Sequence, residues 1–179
     1  LTRAVALGDS WTRDDADRFG AESQRRAGAA WSDPDGVYAR TVVPMSVFTD
    51  EGWTVAERDE FLRPETTVEP LAGLRTPFRA GGRVTAGNSA GLTDGATAGL
   101  LAAEDVATEL GLTPRMRLVG FAYAGVEPHL MGIGPVPAVR KLLERADVTV
   151  AEIDLVELNE AFAAQSLAVV RDLGIDEER

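Results

Sequence analysis

Few residues in this sequence are equipped for chemistry, and their types narrow the choices. Asn159 stands in Leu158-Asn159-Glu160-Ala161-Phe162, between an apolar run that reads as a strand and one that reads as a helix. A side chain at such a junction emerges at the carboxyl end of a sheet, where open α/β folds place their ligands. The plainer role for the same asparagine is to cap the helix that starts near Ala161. His129 is the only histidine and so the one side chain with an ordinary pKa near neutrality. Its setting after Glu127-Pro128 is that of a solvated loop. There is no cysteine, which removes disulfides, thiolate metal sites and a cysteine nucleophile. Asp14, Asp15 and Asp17, and likewise Asp33 and Asp35, lack the spacing and glycine of a calcium loop; they read as solvated helix-start and turn acids. No Gly-rich phosphate loop or metal-ligand cluster stands out, so neither a metal site nor a tightly bound cofactor is expected.

The elements that must position these residues follow from periodicity and punctuation. Thr12-Arg13-Asp14-Asp15 reads as a helix start, with a hydroxyl at the cap and acids in the first turn. That helix is expected to reach about Ala30, with Ala16, Phe19, Ser23 and Ala27 on one face, and to stop before Ser32-Asp33-Pro34-Asp35-Gly36. Residues 41–48 predict a strand in which Pro44 marks an edge or bulge. Residues 49–82 read as irregular, with a short helix at 67–74. Further on, 104–110 predicts a helix stopped by Gly111, and 117–123 a strand. Pro137 sits in the first turn of a helix carrying Val139, Leu142, Leu143 and Ala146. Residues 153–158 predict a strand and 161–173 a helix closed by Gly174. That last helix is apolar almost all round, as buried helices are. Strand and helix alternating at this spacing predict an α/β fold with parallel strands.

Composition sets outer limits. Hydrophobic residues make up 45% of the 179 positions, which fits a globular chain. The formal net charge of −11 argues against nucleic acid as the main partner. No stretch approaches the roughly 20 apolar residues that span a bilayer, and the first residues carry no apolar signal core. A cytoplasmic protein without membrane partners is expected.

Three segments together carry a resemblance. They are residues 84–96 (Val84-Thr85-Ala86-Gly87-Asn88-Ser89-Ala90-Gly91-Leu92-Thr93-Asp94-Gly95-Ala96), 125–138 (Gly125-Val126-Glu127-Pro128-His129 through Ala138) and 154–165 (Asp154-Leu155-Val156-Glu157-Leu158-Asn159-Glu160-Ala161-Phe162-Ala163-Ala164-Gln165). In motif, order and separation they resemble the signatures of the thiolase family, and the upstream stretch resembles that family's loop domain. The resemblance implies a thiolase-like layered fold, incomplete: residues 1–92 as the later part of the CoA-binding loop domain, and 93–179 as the first half of the C-terminal domain. It also implies that the nucleophilic cysteine lies before Leu1, and that the Gly-His-Pro histidine and a second cysteine lie after Arg179.

The implied activity is that of an acyltransferase acting on acyl-CoA and 3-ketoacyl-CoA thioesters, with coenzyme A or acetyl-CoA as substrate. Asn159 matches the asparagine that holds a water against the thioester oxygen as it becomes an enolate. A neutral amide suits this task because a carboxylate there would repel the developing charge. Arg63 matches an arginine near the adenine–phosphate end of CoA. Phe78, Ala86, Leu92, Met131, Ala161 and Phe162 match apolar walls of the pantetheine tunnel, although core packing is the commoner fate of a Met or Phe. Many thiolases read Asn-Ala-Ser-Gly where this chain reads Asn88-Ser89-Ala90-Gly91. The position whose hydroxyl meets the pantetheine amide is therefore Ala90 here, with Ser89 beside it as a substitute.

A homo-oligomer, dimer or tetramer, is implied for the complete enzyme. The 179 residues alone are expected to be inactive, and to leave the 161–173 helix and its sheet uncovered as an apolar patch. The competing reading is a non-catalytic CoA-binding or assembly module of thiolase ancestry.

Overall fold

The computed structural model describes residues 11–176. Helix α1 spans Arg13–Ser32 and begins with a reciprocal cap. The Asp15 N–H donates to Thr12 Oγ1 at 3.1 Å, and the Thr12 N–H donates to Asp15 Oδ2 at 2.7 Å, so two orphan donors are satisfied at once. The Thr12 hydroxyl and then its backbone N–H hold the Asp15 carboxyl below its ordinary value. A lowered carboxyl pKa stabilises the fold above the unfolded value of 3.8 and withdraws that support as pH falls below it. Thr12→Ala is therefore expected to lower Tm at neutral pH by about 2–4 °C. In thermal scans the deficit should shrink below about pH 3.

Helix α1 stops at Asp33, whose extended backbone is what a following Pro34 requires. Helix α2 (Val37–Thr41) then folds back so that Tyr38 stacks on Trp31, with ring centroids 4.6 Å apart. Strands β1 (Met45–Thr49) and β2 (Gly52–Ala56) form an antiparallel hairpin that pairs Phe48 with Trp53. The strand expected at 41–48 thus starts only after Pro44, where ladder N–H groups become available, and its first residue is helical instead. The expected irregularity of 49–82 holds except for β2. Helix α3 (Val68–Ala72) packs against α1, where the Arg13 guanidinium donates to the Leu71 and Leu74 carbonyl oxygens at 2.5 and 3.2 Å.

Residues 84–91 cross α1, and Gly28 lets the Pro64 ring lie against the helix where a Cβ would overlap it. In an open helix Gly→Ala gains about 1 kcal/mol. Here the rigid ring turns the sign. Gly28→Ala is expected to lose about 1–2 kcal/mol in urea unfolding, overpacking outweighing propensity.

Beyond Gly91 the chain is extended except at α4 (Glu104–Glu109), α5 (Pro135–Ala146), α6 (Ala163–Leu173) and two short 3₁₀ turns at 128–133 and 150–152; a third such turn lies earlier, at 86–88. Both α5 and α6 end on left-handed residues, Asp147 and Gly174. Val136, Val169 and Leu173 form the core between them, with Ile133, Val139, Leu158 and Ile175 packed around it.

Two expectations need correction. Residues 117–123 and 153–158 form no hydrogen-bonded strand, and among the described residues the hairpin is the only sheet. Residues 117–123 do run along α5, with Lys141 over the Tyr123 ring at 5.6 Å. Yet parallel strands need edge partners from distant chain, and among the described residues none is present beside either segment. The second correction concerns α6. It was expected to stand bare, but Ala163, Ala164, Ser166, Leu167, Ala168, Val169 and Leu173 are buried by the chain's own residues. The apolar surface lies instead on the extended segments, where Leu92, Leu100, Met116, Val119 and Phe121 stand in solvent.

Candidate functional site

Helix α6 begins at Ala163, not Ala161. Phe162 is its cap residue, with extended backbone and no capping side chain. Asn159 therefore sits three residues ahead of the cap, which excludes the plain capping role. It is exposed, and among the described residues its side chain has no hydrogen-bond partner. An unengaged neutral amide at the end of an extended segment is free to hold a water or a ligand oxygen.

The extended backbone at Phe162 lets the chain pair sideways with residues 89–90. Ser89 and Phe162 form an antiparallel bridge, and the Ala90 N–H donates to the Ala161 carbonyl at 3.1 Å. Two of the three motifs that carry the resemblance thus meet in one small ladder. The Ser89 hydroxyl donates to the Thr85 carbonyl at 2.6 Å, so its proton is engaged with the local backbone. Ala90 is exposed beside it. Arg63 is tied to the same neighbourhood: its N–H donates to Gln24 Oε1 of α1 at 2.6 Å. Two residues earlier, the Phe61 ring lies against Gly91, which has no Cβ to block it. The Arg63 guanidinium donates to the Glu60 and Leu62 carbonyl oxygens.

The structure does not bring every candidate together. Leu92 is fully exposed, Phe78 lies in an exposed turn, and Met131 is exposed on the 128–133 turn. Ala86, at the start of the 86–88 turn, is exposed as well. His129 is exposed on a turn, as expected. Among the described residues no group of three or more potential metal ligands occurs.

One acid was misread. Asp17 is not solvated but 1% exposed, bonded to Arg13 Nε at 2.7 Å and to Asn88 Nδ2 at 2.8 Å. Asn88 is 3% exposed. Its motif position was visible in the sequence, but its partner is 71 residues away and no local pattern reports such a pair. Glu160, next to Asn159, accepts from the Ser23 hydroxyl of α1 at 2.6 Å. On the exposed side of α1, Arg25 and then Arg26 hold the Glu22 carboxyl at about 2.

A separate groove of about 570 Å³ lies between α1 and the 156–160 segment, lined by Trp11, Phe19, Ser23, Leu158, Ser166 and Val170 among others. Neither Asn159 nor any residue matched to CoA lines it. Its Trp11 Nε1 and Ser166 Oγ are buried without a hydrogen-bond partner.

The comparisons with known proteins agree in every direction. The thiolase N-terminal domain profile matches residues 2–105, and the thiolase C-terminal domain profile matches residues 112–179. A 3-oxoadipyl-CoA/3-oxo-5,6-dehydrosuberyl-CoA thiolase of Escherichia coli is 51% identical over 93% of this chain and 41% of the relative. An acetyl-CoA acetyltransferase of Paracoccus denitrificans is 45% identical over 98% of this chain and 45% of the relative. Among solved structures, the Bacillus anthracis acetyl-CoA acetyltransferase superposes with a TM-score of 0.85 at 40% identity, covering 99% of this chain and 45% of that one. Human mitochondrial 3-ketoacyl-CoA thiolase in complex with CoA does so with 0.82 at 36% identity, covering 98% and 43%. The chain therefore spans less than half the length of the relatives it matches, and its architecture is a partial thiolase fold. With both family domains matched along almost all of its length, the chain belongs to the thiolase family.

Proposed function

We propose that this chain supplies the enolate-stabilising asparagine and one side of the CoA channel of an acyltransferase that catalyses reversible Claisen condensation and thiolysis. Its substrates are acyl-CoA and 3-ketoacyl-CoA thioesters. The observation that carries this reading is the ladder joining residues 89–90 to 161–162, with an uncapped, unengaged Asn159 next to it. On this reading, residues 1–92 are the later part of the loop domain and 93–179 the first half of the C-terminal domain.

In the condensation direction, acetyl-CoA loses a proton from the carbon beside its thioester, and negative charge moves onto the thioester oxygen. Asn159 holds the water that donates to that oxygen. Because the amide is neutral and already positioned, it adds no repulsion and needs no reorganisation as charge appears. The enolate carbon attacks an acyl thioester on the nucleophilic cysteine, expelling that thiolate and releasing 3-ketoacyl-CoA; thiolysis is the reverse. Ala86, Ala90, Ala161 and Phe162 form apolar wall that passes the thin pantetheine arm, and Arg63 meets its phosphate end. Phe78, Leu92 and Met131 complete that wall when further polypeptide closes on them.

With no cysteine in its 179 residues, the chain depends on other polypeptide for the nucleophile and the proton shuttle, and is inactive by itself. The complete enzyme is a cytoplasmic homo-oligomer on this reading. Relatives named for 3-oxoadipyl-CoA make that dicarboxylic thioester the first to assay, with acetoacetyl-CoA as the short-chain comparison. The same lack of cysteine favours the second reading, a non-catalytic CoA-binding or assembly module, only if the gene encodes no more than these residues. The experiment is CoA-dependent thiolysis by the protein as its gene encodes it. Turnover supports the enzyme; CoA binding without turnover, in a product of intact mass equal to these 179 residues, supports the module.

A further inference from the structure

We infer that the buried pair Asp17–Asn88 is a positioning device that sets the CoA-facing segment 86–91 against α1, and through it the affinity for the thioester substrate. The inference rests on the channel reading above. Asn88 uses its whole amide: Nδ2 donates to Asp17 Oδ1 at 2.8 Å and to the Arg83 carbonyl at 2.9 Å, and Oδ1 accepts from the Thr85 N–H at 2.8 Å. Asp17 turns its other oxygen to Arg13, which in turn clamps the end of α3. Gly20, one turn after Asp17, admits the Gly87 carbonyl to 3.0 Å from where a Cβ would stand. The backbone of the 86–88 turn therefore lies directly on the helix, and the Asn88 amide is its polar anchor.

A buried carboxylate and a buried amide are costly to leave unmatched, and they fix one register of segment against helix. A methyl group or a second carboxylate at either position would not. Two neighbouring anchors have the same form: Ser23 holds Glu160, beside Asn159, and Gln24 holds the backbone of Arg63. One helix thus carries the three remote segments on which the proposed site stands, and Asp17–Asn88 is its buried member.

The expected kinetic signature is specific. The channel wall contacts substrate in ground state and transition state alike, so a displaced wall raises KM while leaving kcat per active site. In the full-length enzyme, Asn88→Ala and Asp17→Ala are expected to raise KM for the acyl-CoA by about tenfold, with kcat per titrated site within about twofold. Asp17→Asn keeps an oxygen for Asn88 and should restore most of the affinity. If the alanine variants do not fold, Asn88→Ser carries the measurement against Asp17→Asn as the variant that keeps affinity, with CoA dissociation constants read on folded protein. Ala90→Leu, which narrows the channel directly, is the control. An unchanged KM with only fewer active sites, while Ala90→Leu raises KM, overturns the positioning role alone. An unchanged KM in Ala90→Leu as well removes the channel reading and the inference with it.

Discussion

Replacing Asn159 by alanine in the complete enzyme is expected to slow condensation by about two orders of magnitude, close to 3 kcal/mol of transition-state stabilisation, as for one lost oxyanion donor. The loss should appear in kcat and kcat/KM together, because the water held by the amide matters only once charge has reached the thioester oxygen. Stability should hardly move. The side chain is exposed, caps nothing and bonds to no described residue, so its removal opens no cavity and orphans no partner. Asn159→Asp should do at least as much damage, by setting a like charge against the enolate. Single-turnover condensation kinetics decide the matter: an unchanged rate in Asn159→Ala ends the assigned role.

Produced by itself, the 179-residue chain is expected to self-associate. Leu100, Leu101, Met116, Leu118, Val119 and Phe121 are exposed on extended backbone, an apolar surface beyond what single soluble domains usually show. The same segments carry no strand partner among the described residues, and unpaired extended chain invites pairing with another copy. At micromolar concentration, light scattering should report a mass at least twice that of one chain, with strong binding of a hydrophobic dye. Co-production with the remaining polypeptide of the enzyme should suppress both signals. A monodisperse single-chain particle with little dye binding would remove the claim that these segments need cover.

The helices were legible because their information is local. Thr12 with Asp15 announces α1, Pro137 marks the first turn of α5, and Gly174 closes α6. Residues 117–123 and 153–158 were read as parallel strands from their apolar runs, and that reading failed because pairing depends on neighbours the pattern cannot supply. β2 carried a usable signal that went unread: Asp50-Glu51-Gly52 before Trp53-Thr54-Val55 is a turn followed by strand formers. At the candidate site, the motifs named residues 89, 90, 161 and 162 but not the ladder that joins them, and the one-residue shift from serine to Ala90 was visible. Asp17 was not. As an acid two residues past the first-turn pair Asp14 and Asp15, it looks like its exposed neighbours, and only the arrival of Asn88 makes it a buried anchor.

The anchors on α1 also bear on how the chain reaches this state. Three polar links of that helix, Arg13 to Leu71, Asp17 to Asn88 and Ser23 to Glu160, join residues 58, 71 and 137 positions apart, so each closes a long loop. Closure entropy grows slowly with length, and the longest loop costs only about 0.8 kcal/mol more than the shortest. Final stability is thus almost indifferent to the distance spanned, whereas the speed of folding is not, since non-local contacts must be found by search. The Ser23–Glu160 link, the most distant of the three, is placed to form late. On the proposed function, the thioester-binding surface exists only in molecules that have completed the slow search, and substrate should select those molecules during renaturation.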